Sequence, residues 1–140
     1  MAKFVFELED ILQFRKFKQN QAETDLAKAL AVETEIQNNL NTIAAQKVAA
    51  LKEKGHTDIN ALIQRERYIE LLKFQTEELL KQMAEAKLVS EEKRKVLTEI
   101  MNQTDALESL KRQEMQEFKE QQDFEESEFM DELAVTRFNK

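Results

Sequence analysis

The sequence predicts an all-α protein, a long two-helix antiparallel coiled-coil hairpin with a C-terminal helical extension. Three observations carry that expectation. The 140 residues contain no proline and one glycine. Ala, Glu, Gln, Lys and Leu dominate the rest, and these residues lose little rotamer freedom in a helix. Apolar residues recur at alternating steps of four and three along most of the chain. That pattern breaks once, in "LKEKGHTDIN" (Leu51 to Asn60), which holds the only glycine and the only histidine.

The first helix is expected over about residues 5–54. Its seam reads Leu8, Leu12, Arg15, Gln19, Ala22, Leu26, Ala29, Glu33, Ile36, Leu40, Ile43, Lys47, Ala50. Nine of these thirteen are apolar, against 41% hydrophobic residues overall, so the period is real. Held over so many heptads, it argues coiled coil rather than a single amphipathic helix.

The turn is expected at about 55–58. Lys54 suits the negative end of a helix dipole, and Gly55 takes the left-handed conformation that ends a helix. Thr57 or Asp58 can cap the next helix by accepting from its free backbone N–H groups.

The second helix is expected over about 59–137, with the whole chain forming one coiled-coil domain. Its seam runs Leu62, Arg65, Ile69, Leu72, Thr76, Leu79, Met83, Ala86, Ser90, Lys93, Leu97, Ile100, Thr104, Leu107, after which the register blurs. So short a break permits the two helices to fold back on each other and bury their stripes. A turn centred near residue 56 or 57 would set Arg15 against Glu99, Glu33 against Lys81 and Lys47 against Glu66. Each such pair is worth about 0–1 kcal/mol and speaks for register more than stability.

At 1.5 Å per residue the first helix is roughly 70 Å long, and the partner it needs ends near residue 105. The residues from about Glu108 onward then extend past the pairing. They hold four of the nine phenylalanines, Phe118, Phe124, Phe129 and Phe138, and the last thirty positions carry a net charge of −4. Aromatic side chains on a lone helix imply a partner. The alternative is that they pack on Phe4 and Phe6 and lengthen the coil. Leu71 and Phe74 fall outside the seam and suggest a separate docking patch. Phe14 and Phe17 also fall outside it, either as outward residues or because the register drifts there.

No arrangement of residues suggests catalysis. There is no cysteine for a nucleophile, a disulfide or a thiolate metal site, and no glycine-rich loop for phosphate. His56 reads as a polar turn residue. Glu91-Glu92 and Glu125-Glu126 point to different sides of a helix and make poor metal ligands. Lys93, Arg94 and Lys95 form a short basic run flanked by acids, and a net charge of −7 speaks against nucleic acid. No apolar run can span a bilayer, and the N-terminus lacks the form of a secretory signal. The expectation is a soluble, cytoplasmic protein that is not an enzyme and needs no cofactor or metal.

Both ends of the chain resemble one family. The start, "KFVFELEDILQFRKFKQNQAETDLAKAL", has alternating Phe, a Leu-x-x-Ile-Leu step, a basic residue and then an Ala/Leu helix. The end, "EFKEQQDFEESEFMDELAVTRF", has a Met-Asp-Glu step (Met130, Asp131, Glu132), then Ala134 and a late Phe138. Together they resemble the flagellar export protein FliJ family over essentially the whole chain.

That resemblance implies a soluble component of the bacterial flagellar type III export apparatus, similar in shape to the gamma subunit of rotary ATPases. It implies a stalk that binds the hexameric export ATPase, promotes its assembly and activity, contacts the cytoplasmic part of the export gate and recycles export chaperones. Such a protein would sit in the cytoplasm, peripheral to the inner-membrane gate, without membrane insertion. The residues expected at the ATPase end are Phe118, Phe124, Phe129, Met130, Asp131, Glu132 and Phe138. Leu71 and Phe74 are expected at the mid-stalk contact. Cutting the chain after Leu110 is expected to spare the hairpin and abolish activation. The alternatives are an injectisome stalk protein, a homodimeric coiled-coil scaffold whose helices pair between chains, or a holdase with hairpin tentacles as in prefoldin.

Overall fold

A computed structural model describes residues 2–53 and 58–138. It contains two helices, α1 (Glu9–Lys52) and α2 (Ile59–Phe138), and no strand among the described residues. The fold is an all-α helical hairpin. Lys54, Gly55, His56 and Thr57 lie outside the described residues, so the expected glycine stop and the place of His56 do too.

Asp58 caps α2. Its Oδ1 accepts the Asn60 backbone N–H at 3.1 Å, and its carbonyl accepts the Leu62 N–H at 3.1 Å. A side-chain oxygen here satisfies one of the donors that a helix start leaves open.

The chain divides into two compact units, one of Met1–Gln21 with Thr98–Lys140 and one of Ala22–Leu97. In the first unit, α1 begins at Glu9 rather than near residue 5. Residues 2–6 are irregular and lead into a turn at Glu7 and Leu8, closed by the Glu9 N–H donating to the Phe6 carbonyl at 3.1 Å. The physical reason lies in the aromatics. Phe6 is buried, and the Phe4 ring meets the Phe118 ring with centroids 5.7 Å apart and planes tilted by 53°. Aromatic pairs favour such tilted contacts. Glu9 and Asp10 place negative charge at the positive end of the α1 dipole.

The pairing in this unit is antiparallel. Lys111 Nζ meets Glu9 Oε2 at 2.8 Å, and Lys16 Nζ meets Glu108 Oε1 at 3.5 Å. Leu12 is 1% exposed at the centre of the contact. Thr104 is also buried, and its hydroxyl donates to the Ile100 carbonyl at 3.0 Å, so that hydroxyl is not stranded. The seam of α2 does not end at Leu107. Lys111, Glu114, Phe118 and Gln122 continue it at steps of three and four, all half-buried.

In the second unit every α1 seam position from Ala22 to Ala50 is buried or half-buried, as expected. Along α2 the same holds from Arg65 to Leu97. Leu62 is the exception and is exposed, as are Ile59 and Ile63. None of the three expected ion pairs forms. The Glu33 carboxylate instead accepts from the Ser90 hydroxyl at 2.7 Å, about two and a half helical turns beyond Lys81. Lys81 pairs within its own helix, with Glu78 at 3.5 Å.

Pairing therefore begins further along α2 than a symmetric turn requires. Arg65 closes that end: its Nε donates to the Ala50 carbonyl at 2.9 Å and its Nη2 to the Leu51 carbonyl at 3.0 Å. A guanidinium on last-turn carbonyls satisfies open acceptors and opposes the negative end of the dipole.

Two outcomes follow for stability. Leu72 is 2% exposed whereas its neighbour Leu71 is about half exposed. Leu72→Ala should cost about 2–5 kcal/mol, and Leu71→Ala should stay within about 0.5 kcal/mol, as read by urea denaturation.

The Lys111 hydrogen bond, then that of Gln13, hold the Glu9 carboxyl below its ordinary value of 4.5. A depressed folded-state value contributes stability above the unfolded value and loses it as pH falls through the folded one. The midpoint of unfolding should thus fall on acidification below about pH 4.5, and Glu9→Gln should remove that part of the dependence.

Candidate partner-binding surfaces

Beyond Gln122 every described residue of α2 is exposed. This segment, 123–138, has no α1 residue against it. Phe124 is 58% exposed, Phe129 61% and Phe138 92%, and Met130, Leu133 and Val135 are exposed with them.

Their directions follow from helix geometry, at about 100° per residue. Counted from Phe118, which faces Phe4, Phe129 and Leu133 lie about 20° and 60° around the helix, and Met130 about 120°. Phe138, Phe124 and Val135 lie on the far side, at about 200–260°. Apolar side chains thus point to most sides of the helix, and the remaining sector, about 120° wide between Val135 and Phe129, holds Glu125, Glu128 and Glu132.

Amide-to-carboxylate hydrogen bonds one turn apart support the approach to this segment. Gln113 donates to Glu117 at 3.3 Å, Gln116 to Glu120 at 3.2 Å and Gln121 to Glu125 at 3.3 Å. Each such pair adds a few tenths of a kcal/mol to an isolated helix. This glutamine ladder is legible in the sequence at i, i+4 spacing and is a feature that a search for apolar periodicity passes over.

Of the residues expected at the ATPase end, Phe118 stands apart. Its ring meets that of Phe4. Phe124, Phe129, Met130, Asp131, Glu132 and Phe138 lie together on the uncovered segment.

Leu71 and Phe74 lie elsewhere, within the second unit, on the outer side of α2 and more than half exposed. Phe74 borders a groove of about 480 Å³ shared with Asn39, Thr42 and Ile43 of α1 and Glu78 and Leu79 of α2. Periodicity alone missed the groove, because its walls come from both helices. Phe14 and Phe17 also face outward, while Leu12, Arg15 and Gln19 keep the seam, so the register does not drift there. The Lys18 ammonium sits 5.5 Å above the Phe14 ring, a cation–π contact that steadies an exposed aromatic.

Among the described residues no cluster of His, Cys, Asp and Glu could hold a metal ion, and no helix is long and apolar enough to cross a membrane. What the fold defines is a class: a helical hairpin that presents uncovered helix faces, with exposed aromatics where another protein's surface would ordinarily lie. The chain matches the family model of the flagellar FliJ protein over residues 4–140 and belongs to the FliJ family. That family is a non-catalytic stalk or scaffold component of the flagellar export apparatus. No match is found among curated proteins or among solved structures.

A helix segment this short and without tertiary contacts is marginal in water. Amide hydrogen exchange should therefore show protection through Gln122 and a fall to near-unprotected rates over 123–138. Slow exchange continuing to Phe138 in the isolated chain would contradict an uncovered segment.

Proposed function

We propose that this protein is the central stalk of the flagellar type III export apparatus. It binds the hexameric export ATPase through 123–138 and promotes assembly and activity of the ring. The observation that carries this reading is the set of exposed apolar side chains, Phe124, Phe129, Met130, Leu133, Val135 and Phe138, turned to most sides of a helix segment whose described residues are all exposed. A partner that closes around the helix buries all of these side chains at once, whereas a flat surface or a groove buries only one side. Asp131 and Glu132 lie within the contact, and Phe118, its ring against Phe4, borders it.

Unequal contacts with the subunits of a ring bias their conformations, and that differential is what can couple the stalk to assembly and hydrolysis. Leu71 and Phe74, with the groove beside them, serve a separate contact with the cytoplasmic part of the export gate. Export chaperones are recycled on the same protein. The stalk works in the cytoplasm, peripheral to the inner membrane. Its helices satisfy each other within one chain, which favours a monomer over the homodimeric scaffold. The flagellar family match favours this system over the injectisome.

The cut that tests this belongs after Gln122. Cutting after Leu110 would also remove Lys111 and Phe118, and with them the contacts of Glu9 and Phe4. A chain ending at Gln122 should keep its unfolding midpoint and lose stimulation of the ATPase in a phosphate-release assay. The pair Leu71→Ala, Phe74→Ala should leave that stimulation intact. Full stimulation by the shortened chain would remove the segment from the ATPase contact.

A further inference from the structure

The apolar side chains on 123–138 are interleaved with six carboxylates, Asp123, Glu125, Glu126, Glu128, Asp131 and Glu132, against one base, Arg137, a net charge of −5 over the segment. All six residues are exposed, and none has a cation within ion-pair distance among the described residues. Over the rest of α2, residues 59–122, thirteen acids stand against eleven bases, and three of those acids pair within the helix, Glu70 with Lys73 at 3.8 Å, Glu78 with Lys81 at 3.5 Å and Glu91 with Lys95 at 3.9 Å.

The acids of the segment also oppose one another along the helix. Glu125 and Glu128, Glu128 and Asp131, and Glu128 and Glu132 stand three or four apart, where like charges destabilise a helix. The segment therefore carries electrostatic repulsion that nothing within the described chain relieves.

We infer that the surface receiving 123–138 is cationic as well as apolar, a sleeve of protein bearing Lys or Arg side chains between its apolar contacts. This rests on the reading of the segment as the partner-binding end and adds the chemistry of what it meets. Charge decides among the occupants. A second copy of the chain would set one strongly negative segment against another. Nucleic acid and an anionic lipid surface repel it for the same reason. A cationic protein surface neutralises the carboxylates, three of which (Glu125, Glu128 and Glu132) share one side of the helix, as the aromatic rings are buried. The charges then act mostly on the rate of encounter, and the apolar side chains on how long the complex lasts.

The test measures association of the full-length chain with the purified hexameric export ATPase by stopped-flow fluorescence, from low to high salt. Two full-length variants accompany it. One is neutralised (Asp123→Asn, Glu125→Gln, Glu126→Gln, Glu128→Gln, Asp131→Asn, Glu132→Gln), and one is stripped of its rings (Phe124→Ala, Phe129→Ala, Phe138→Ala). All the changed side chains are exposed, and circular dichroism checks that helix content is kept.

The unaltered chain should associate at least about tenfold faster at low salt than at high salt, within the range that electrostatic steering gives. The neutralised chain should associate slowly at both. The stripped chain should keep the salt dependence and dissociate faster. If the neutralised chain matches the unaltered one at every salt concentration while the stripped chain binds poorly, the segment binds but its charge is idle, and this inference alone falls. If the stripped chain binds and dissociates like the unaltered one, the segment is not the contact, and the underlying reading falls with it. Sedimentation of the unaltered chain at low salt should show a monomer. A dimer that the stripped variant cannot form would give the surface to a second copy and overturn the proposal.

Discussion

The seam between α1 and α2 is the constraint on which everything else depends. Neither helix has an apolar stripe wide enough, or a propensity strong enough, to hold itself in water; each is stable because it covers the other. The seam is also lean. On α1 half of its buried positions are alanines, Ala22, Ala29 and Ala50, beside Leu12, Ile36 and Ile43. Each buried Ile or Leu contributes roughly 1.5–3 kcal/mol, and an alanine much less. Leu12 and Leu72, the most deeply enclosed side chains, therefore carry more of the stability than their number suggests.

Where the seam stops, the properties of the chain change. Phe4 and Phe6 carry the covering of α2 as far as Phe118, and the half-buried stretch ends at Gln122. Past that point the helix holds large apolar side chains with no internal use, which is the condition under which exposed hydrophobic surface denotes a partner. Membership of the FliJ family places the chain among components of the flagellar export apparatus.

Much of this was legible in the residues, because a heptad repeat is a geometric statement. Every α1 position assigned to the seam is buried or half-buried, Asp58 caps α2, and Leu71 and Phe74 lie off the seam as their phase requires. Register was harder. Opposite charges are so common in this chain that several alignments can be drawn through them. The observed one is fixed by Arg65 on the end carbonyls of α1 and by Glu33 on Ser90, contacts that involve a backbone group and a hydroxyl. The end of the pairing was hidden for another reason. Lys111, Glu114 and Gln122 break the apolar pattern, yet they hold seam positions: Lys111 faces Glu9 at the start of α1, and the irregular arm ahead of α1, which helical periodicity does not describe, meets α2 at Phe118.

The Glu33–Ser90 contact has an evolutionary consequence. Slide α2 by one heptad either way and the carboxylate would confront Met83 or Leu97 instead of a hydroxyl, losing its donor in a half-enclosed site. A lone polar match of this kind works as an index mark on two otherwise repetitive strips. Inserting or deleting seven residues on one strip alone would misalign the mark. Relatives of different length should therefore have gained or lost their heptads in both helices together.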